Sequence, residues 1–127
     1  MTVISFEGER QCNSLEELNE VLELRSERDN NDFILIPNED YPNMEILIKG
    51  DWTYIYYFPE EDHAGFFAYM DNNGLDKDGD MEFNIGSFNS VIEISNEHVI
   101  PVEKAYEVAR EYFASNELSK EVKWFEL

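Results

Sequence analysis

Cysteine is almost missing from this 127-residue chain, Cys12 being the single one. No internal disulfide can form, so the core alone must hold the fold, as in proteins of reducing compartments. Basic residues are scarce too: nine Lys and Arg stand against 29 Asp and Glu, for a formal net charge of −20. The imbalance runs through the whole chain, with 4 bases to 12 acids in residues 1–50 and 5 to 17 in residues 51–127. It is therefore no acidic tail. Such a chain repels nucleic acid and anionic membranes and attracts basic surfaces. The six glycines never fall as GxGxxG or GxxxxGK, which excludes the usual phosphate-cradling loops. No apolar run approaches the ~18 residues of a membrane span. The opening MTVISFEGER has neither a basic n-region nor a long apolar h-region. No secretory signal is expected, and a cytoplasmic location is.

What the chain does have is a dense aromatic stretch, DWTYIYYFPEEDHAGFFAYM, from Asp51 to Met70. Trp52, Tyr54, Tyr56 and Phe58 recur at every second position, the period that places all four on one face of a strand. Thr53, Ile55 and Tyr57 take the other face, which is also largely apolar. A strand apolar on both faces belongs in the middle of a sheet. Pro59 stops it, since proline cannot donate to a ladder. Gly65 opens a second run, Phe66 to Met70, so two antiparallel central strands are expected with an acidic loop between them.

The remaining segments supply a frame. Length and a hydrophobic content of 43% suit one globular domain over residues 1–127. Thr2–Glu7 reads as a strand. Ser14 with Glu17 forms a capping box for a helix from Leu15 to about Glu27, striped by Leu15, Leu18, Val21 and Leu22. Phe33–Ile36 and Met44–Lys49 are strands, and Gly50-Asp51 is a tight link into the aromatic strand. Met81–Ile85 and Val91–Ser95 read as further strands. Pro101 opens a second helix, whose buried face is Val102, Ala105, Tyr106, Ala109, Tyr112 and Phe113, with Asn116 capping its end. Val122–Phe125 closes the chain as a strand. The order predicts an α+β fold: an antiparallel-dominated sheet of about six strands with two helices packed on one side. Trp124 and the helix face Ala105, Ala109 and Phe113 are expected to share a core with Trp52 or its neighbours.

Candidate chemistry is thin. Asp76-Lys77-Asp78-Gly79-Asp80 opens like a calcium loop, but the sixth and twelfth positions hold Met81 and Ser87 instead of Gly and Glu. A solvated or partner-facing acidic turn is the better reading. The two histidines, His63 and His98, sit in no metal-ligand spacing, and Cys12 has no second cysteine nearby. His63 reads as a surface residue, and Cys12 as a structural thiol. Carboxylates are so abundant that the sequence singles out no catalytic pair. No cofactor, metal site or enzymatic activity is expected, and the plentiful aromatics are interleaved with acids, which opposes nucleic-acid binding.

The aromatic strand with its loop, and the ending IPVEKAYEVAREYFASNELSKEVKWFEL, resemble the small α+β immunity proteins of bacterial polymorphic toxin systems. These often stand beside nucleic-acid-deaminase and nuclease toxins. The resemblance covers Asp51 to the last residue, and its most specific part is the helix carrying Pro101, Ala105, Ala109, Tyr112 and Phe113 followed by Val122-Lys123-Trp124. It implies a non-enzymatic protein whose partner is a toxin with a basic surface. The other open reading is an acidic adaptor or regulatory domain with no toxin partner. Two acidic loops are the candidate docking residues: Glu60, Glu61 and Asp62 after the first aromatic strand, and Asp71, Asp76, Asp78, Asp80 and Glu82 after the second. The longer loop is favoured, as it carries more charge and can adapt its shape. Self-repulsion at this net charge favours a monomer.

Overall fold

The computed structural model describes the backbone of all 127 residues and every side chain except those of Glu27 and Phe88. Two helices and ten strands are present, arranged as one eight-stranded sheet and a separate hairpin. The α+β class is as expected, with more strands than six. The large sheet has the order β10-β6-β5-β4-β3-β1-β2, built from Thr2–Ser5 (β1), Gly8–Gln11 (β2), Asn30–Ile36 (β3), Asn43–Lys49 (β4), Trp52–Phe58 (β5), Phe66–Tyr69 (β6) and Lys123–Glu126 (β10). Ile100–Pro101 (β9) adds a short pairing to the start of β5. Every pairing is antiparallel.

The aromatic strand is central, and its alternation decides what each side of the sheet meets. Ile55 and Tyr57 face a core shared with Phe33, Leu35, Met44, Ile46 and Ile48. Helices α1 (Leu15–Leu22) and α2 (Val102–Ser115) cover that face through Leu18, Val21, Leu22, Ala105, Val108, Ala109 and Tyr112. Tyr54 faces the other way, into a second core with Leu47, Phe67, Phe83, Ile94 and Val99, and Trp52 and Tyr56 pack against it. There the cover is the hairpin of β7 (Asp80–Ile85) and β8 (Ser87–Ser95). The Gly50-Asp51 link is the tight turn expected, with Lys49 opposite Trp52.

Several expectations are corrected. Trp124 lies opposite Ala68 and packs with Ala105, Ala109 and Phe113 on the helix-covered core that holds Ile55 and Tyr57, neighbours of Trp52, whereas Trp52 itself packs on the hairpin-covered core. Strand period 2 sends the two indoles to opposite faces. Trp124 Nε1 donates to the Ser119 carbonyl at 2.9 Å. Helix α1 ends at Leu22 instead of Glu27, because Arg25 turns back and donates to the Leu22 and Leu24 carbonyls at 2.6 and 2.9 Å. Those bonds satisfy C-terminal carbonyls that another helical turn would otherwise take. The first strand stops at Ser5, and β2 (GERQ) turns back along it. All four β2 residues are exposed, so no apolar alternation announced that strand. Pro101 is the N-cap of α2 and precedes its first turn. Asn116 caps the end as expected, in the left-handed conformation at φ 59°.

The hairpin is held to the sheet by its apolar face, and Phe83 is fully buried in it. Truncation of Phe83 to Ala is expected to cost about 3–5 kcal/mol in a urea melt, as for other large buried aromatics. A cost below about 1 kcal/mol would show that the hairpin does not pack on the sheet.

Candidate functional site

The acidic positions singled out in the sequence separate into two places. The register Tyr56↔Phe67 and Tyr57↔Phe66 puts the Pro59–Gly65 loop at one end of the central pair and the loop after Tyr69 at the other. Glu60, Glu61 and Asp62 are exposed on the first loop. His63 is only partly exposed and is tied into that loop: Nδ1 accepts the Gly65 N–H at 2.8 Å, and Nε2 lies 2.7 Å from Glu126 Oε2. With Nδ1 occupied as an acceptor, Nε2 carries the proton toward the carboxylate.

Asp71, Asp76, Asp78, Asp80 and Glu82 are exposed at the other end. Asp71 pairs with Lys123 at 2.6 Å. The loop is more tightly tied than a freely adapting one. Asp76 Oδ1 accepts the Asp78 N–H at 3.0 Å, and the Asp76 carbonyl accepts from Gly79 N and from Asn96 Nδ2. Asn73 Nδ2 donates to the carbonyls of Asn96 and Val99 at 2.6 and 2.5 Å. A Cβ at Gly79 would stand 2.6 Å from Asn96 Nδ2, so a side chain there would push the Asn96 amide off the Asp76 carbonyl. Asp76 therefore spends its carboxylate on its own turn. Among the described residues no group of three His, Cys, Asp or Glu converges as metal ligands.

Beside the longer loop lies a cavity of about 520 Å³ on the hairpin side of the sheet. Its apolar wall is Phe67, Tyr69, Leu75, His98, Phe125 and Leu127, and Asp71 and Glu97 stand among its polar lining. Phe67 stacks with Phe125 at 5.2 Å and lies 4.5 Å from the His98 ring. His98 is thus part of an aromatic group that unites three distant segments of the chain. Sequence reading left it without a role, since only the pairing of β10 with β6 brings Phe125 beside Phe67.

Cys12 is fully buried, and burial pushes its thiol above the ordinary value. A raised thiol pKa leaves little thiolate, which fits an inert structural residue.

One carboxyl pair does stand out, in a place the sequence did not mark. Asp32 on β3 and Glu45 on β4 are diagonal neighbours on the hairpin-covered face, through the pairs Asp32↔Leu47 and Ile34↔Glu45. Asp32 is buried, and its Oδ2 accepts the Gly86 N–H of the hairpin turn at 2.7 Å. Its Oδ1 is buried without an N–H partner. The carboxyls of Asp32 and Glu45 face each other closely enough to interact, and a hydrogen bond between them needs a proton on one of the two, because two carboxylates have none to donate. Burial raises both groups. Glu45 is pushed up to about 8, by burial first and then by Asp32, so the pair as a whole keeps a proton near neutral pH.

This pair sets a pH dependence. Glu45 has a folded pKa of about 8 against an ordinary 4.5, so between these values the folded chain holds a proton that the unfolded chain has lost. The site's contribution is full below pH 4.5 and falls as pH rises toward 8. Glu45→Gln retains a donor to Asp32 and removes the titration. Urea midpoints from pH 5 to 8.5 are expected to fall less steeply with pH for Glu45→Gln than for wild type. Equal slopes would place the proton elsewhere.

The fold and this geometry can be set beside known proteins. No family model matches the chain. It is 27% identical over 123 residues to a protein of Burkholderia cenocepacia (strain H111) named a double-stranded DNA deaminase immunity protein, with 96% of each chain covered. The resemblance to immunity proteins read from the sequence is thereby borne out, and the similarity reaches well before Asp51, across the opening strands and first helix as well.

Proposed function

We propose that this chain is an immunity protein that binds a bacterial toxin acting on nucleic acid and neutralises it by stoichiometric occlusion. The observation that carries the reading is the similarity to a named deaminase immunity protein across nearly the full length of both chains. Charge supports it. A toxin that acts on nucleic acid presents a basic substrate surface, and a protein of net charge −20 is drawn to such a surface while being repelled by the nucleic acid itself. The chain works by binding and performs no chemistry on the toxin. It acts as a monomer in the cytoplasm, where its single thiol stays reduced.

The exposed carboxylates of the Asp71–Glu82 segment steer the encounter. Charges at an interface rim act mainly on the association rate, and salt screens them. The backbone ties between this loop and Asn96 hold the charges in place in the free protein, so little ordering is left for binding to supply.

Two measurements test this. Co-expression with the product of the gene immediately upstream is expected to give a one-to-one complex and to restore growth. A toxin that kills regardless would overturn the reading. In stopped-flow binding at two salt concentrations, the triple reversal of Asp76, Asp78 and Asp80 to Lys is expected to slow capture and flatten its salt dependence with folding unchanged. The same change at Glu60, Glu61 and Asp62 is expected to matter less. Capture as fast as wild type at low salt by the first triple variant would remove the longer loop from the docking surface.

A further inference from the structure

We infer that the groove along β6 and β10 is the anchoring pocket for the toxin, and that its occupant is an apolar or aromatic side chain flanked by Arg or Lys. This rests on the immunity reading above and names the part of the surface that holds the complex together once charge has brought the partners close.

The floor of the groove is unusual for this protein. Phe125 and Leu127 are 52% and 54% exposed, and as residues i and i+2 they share one face. Both line the cavity with Phe67 and His98. Phe125 stacks on Phe67, and Phe67 meets the His98 ring, so the exposed apolar surface continues into a built aromatic wall. The other large exposed apolar residues, Leu15, Leu24, Tyr41 and Val91, stand on other elements and line no such cavity. Isolated exposed side chains of that kind need no explanation, whereas a contiguous apolar patch does.

The rim selects the partner. Glu97 lines the mouth together with Asp71, which is already paired with Lys123, and Lys77 is the one Lys or Arg in the lining. Asp76 and Asp78 stand on the adjoining loop, and Asp80 opens β7 where that loop ends. At the far end Leu127 N donates to the Gly65 carbonyl at 2.9 Å, which brings the groove up to the loop of Glu60, Glu61 and Asp62. The four residues of β6 separate the two loops by roughly 13 Å at strand rise. One interface of ordinary size, about 800 Å² per partner, spans that distance. The surface is thus acidic, apolar and acidic in sequence, the complement of an apolar anchor between cationic residues. The aromatic wall also suits cations, which bind over ring faces. A second copy of the chain is a poor occupant, since each brings a net charge of −20.

Anchors of this kind act on the dissociation rate, whereas the rim charges act on association. The test therefore uses the upstream gene product with its active site disabled, bound to wild type, Phe125→Ser and Leu127→Ser. Both positions are exposed, and Leu127→Ser leaves its backbone bond to Gly65 in place, so one variant remains informative if the other misfolds. Each variant is expected to raise the dissociation rate by about tenfold or more, with association nearly unchanged and with wild-type urea midpoints. Hydrogen exchange on the toxin is expected to show that the segment deprotected by Leu127→Ser contains an apolar residue beside Arg or Lys. Wild type that binds, with variants that dissociate within about twofold of it, would overturn the groove and leave the immunity reading standing. Wild type that does not bind would overturn both. Concentration-dependent dimerisation abolished by the same substitutions would assign the groove to a second copy and overturn the proposal.

Discussion

The structure depends on one strand being apolar on both faces. β5 sends Ile55 and Tyr57 toward the helices and Tyr54 toward the hairpin, so two cores form on opposite sides of a single sheet. Neither cover is optional, because an uncovered face would leave a run of large aromatics in water. The strand is also pinned internally. Thr53 is fully buried and donates its hydroxyl to the Leu47 carbonyl at 2.7 Å, which satisfies the one polar side chain that β5 places on its helix side. A central strand locked in this way fixes the register of β4 and β6, and through them the positions of both acidic loops.

What could be read in the sequence follows from where the periodic signal was strong. Trp52 to Phe58 alternates without a break and ends at a proline, so its extent and its two faces were legible. The stripe of Leu18, Val21 and Leu22 likewise gave the first helix. The misses fall where local pattern carries no information. β2 is polar throughout, and its pairing depends on β1 alone. The first half of β8, Ser87-Phe88-Asn89-Ser90, shows no apolar alternation either. Asp32 carries no pattern in the sequence that marks it. Its role comes from a register that places it diagonally from Glu45, and alternation tells which face a residue takes without telling which neighbour it meets. The two tryptophans illustrate the same limit: their faces follow from parity along two separate strands, and parity is settled only when the strands are paired.

The candidate site divides in the same manner. Its charged part was visible as composition, since carboxylates on polar loops between apolar runs have nowhere to go but solvent. Its apolar part was not visible, because Phe67, His98 and Phe125 are far apart in sequence and are gathered only by the β6–β10 pairing and the 3₁₀ turn at Asn96–His98. Charge gives range and little selectivity among basic partners, while shape at an aromatic wall gives selectivity and no range. A protein that must capture one toxin quickly and hold it requires both, and the fold presents them side by side.

The β7–β8 hairpin joins the main sheet without sharing a ladder with it. Two of its polar attachments come from side chains of β3: Asn30 Oδ1 accepts the Asn84 N–H at 3.3 Å, and Asp32 Oδ2 accepts that of Gly86. The molecule therefore has a seam. Hairpin and sheet can part along it while each retains its own backbone bonds, so the first step of unfolding need not begin at a frayed edge. Along the same seam, no ladder bond crosses between the two sheets, so changes confined to the hairpin's turn and solvent side leave the pairing of the large sheet in place, while Phe83 and Ile94 must stay to cover it.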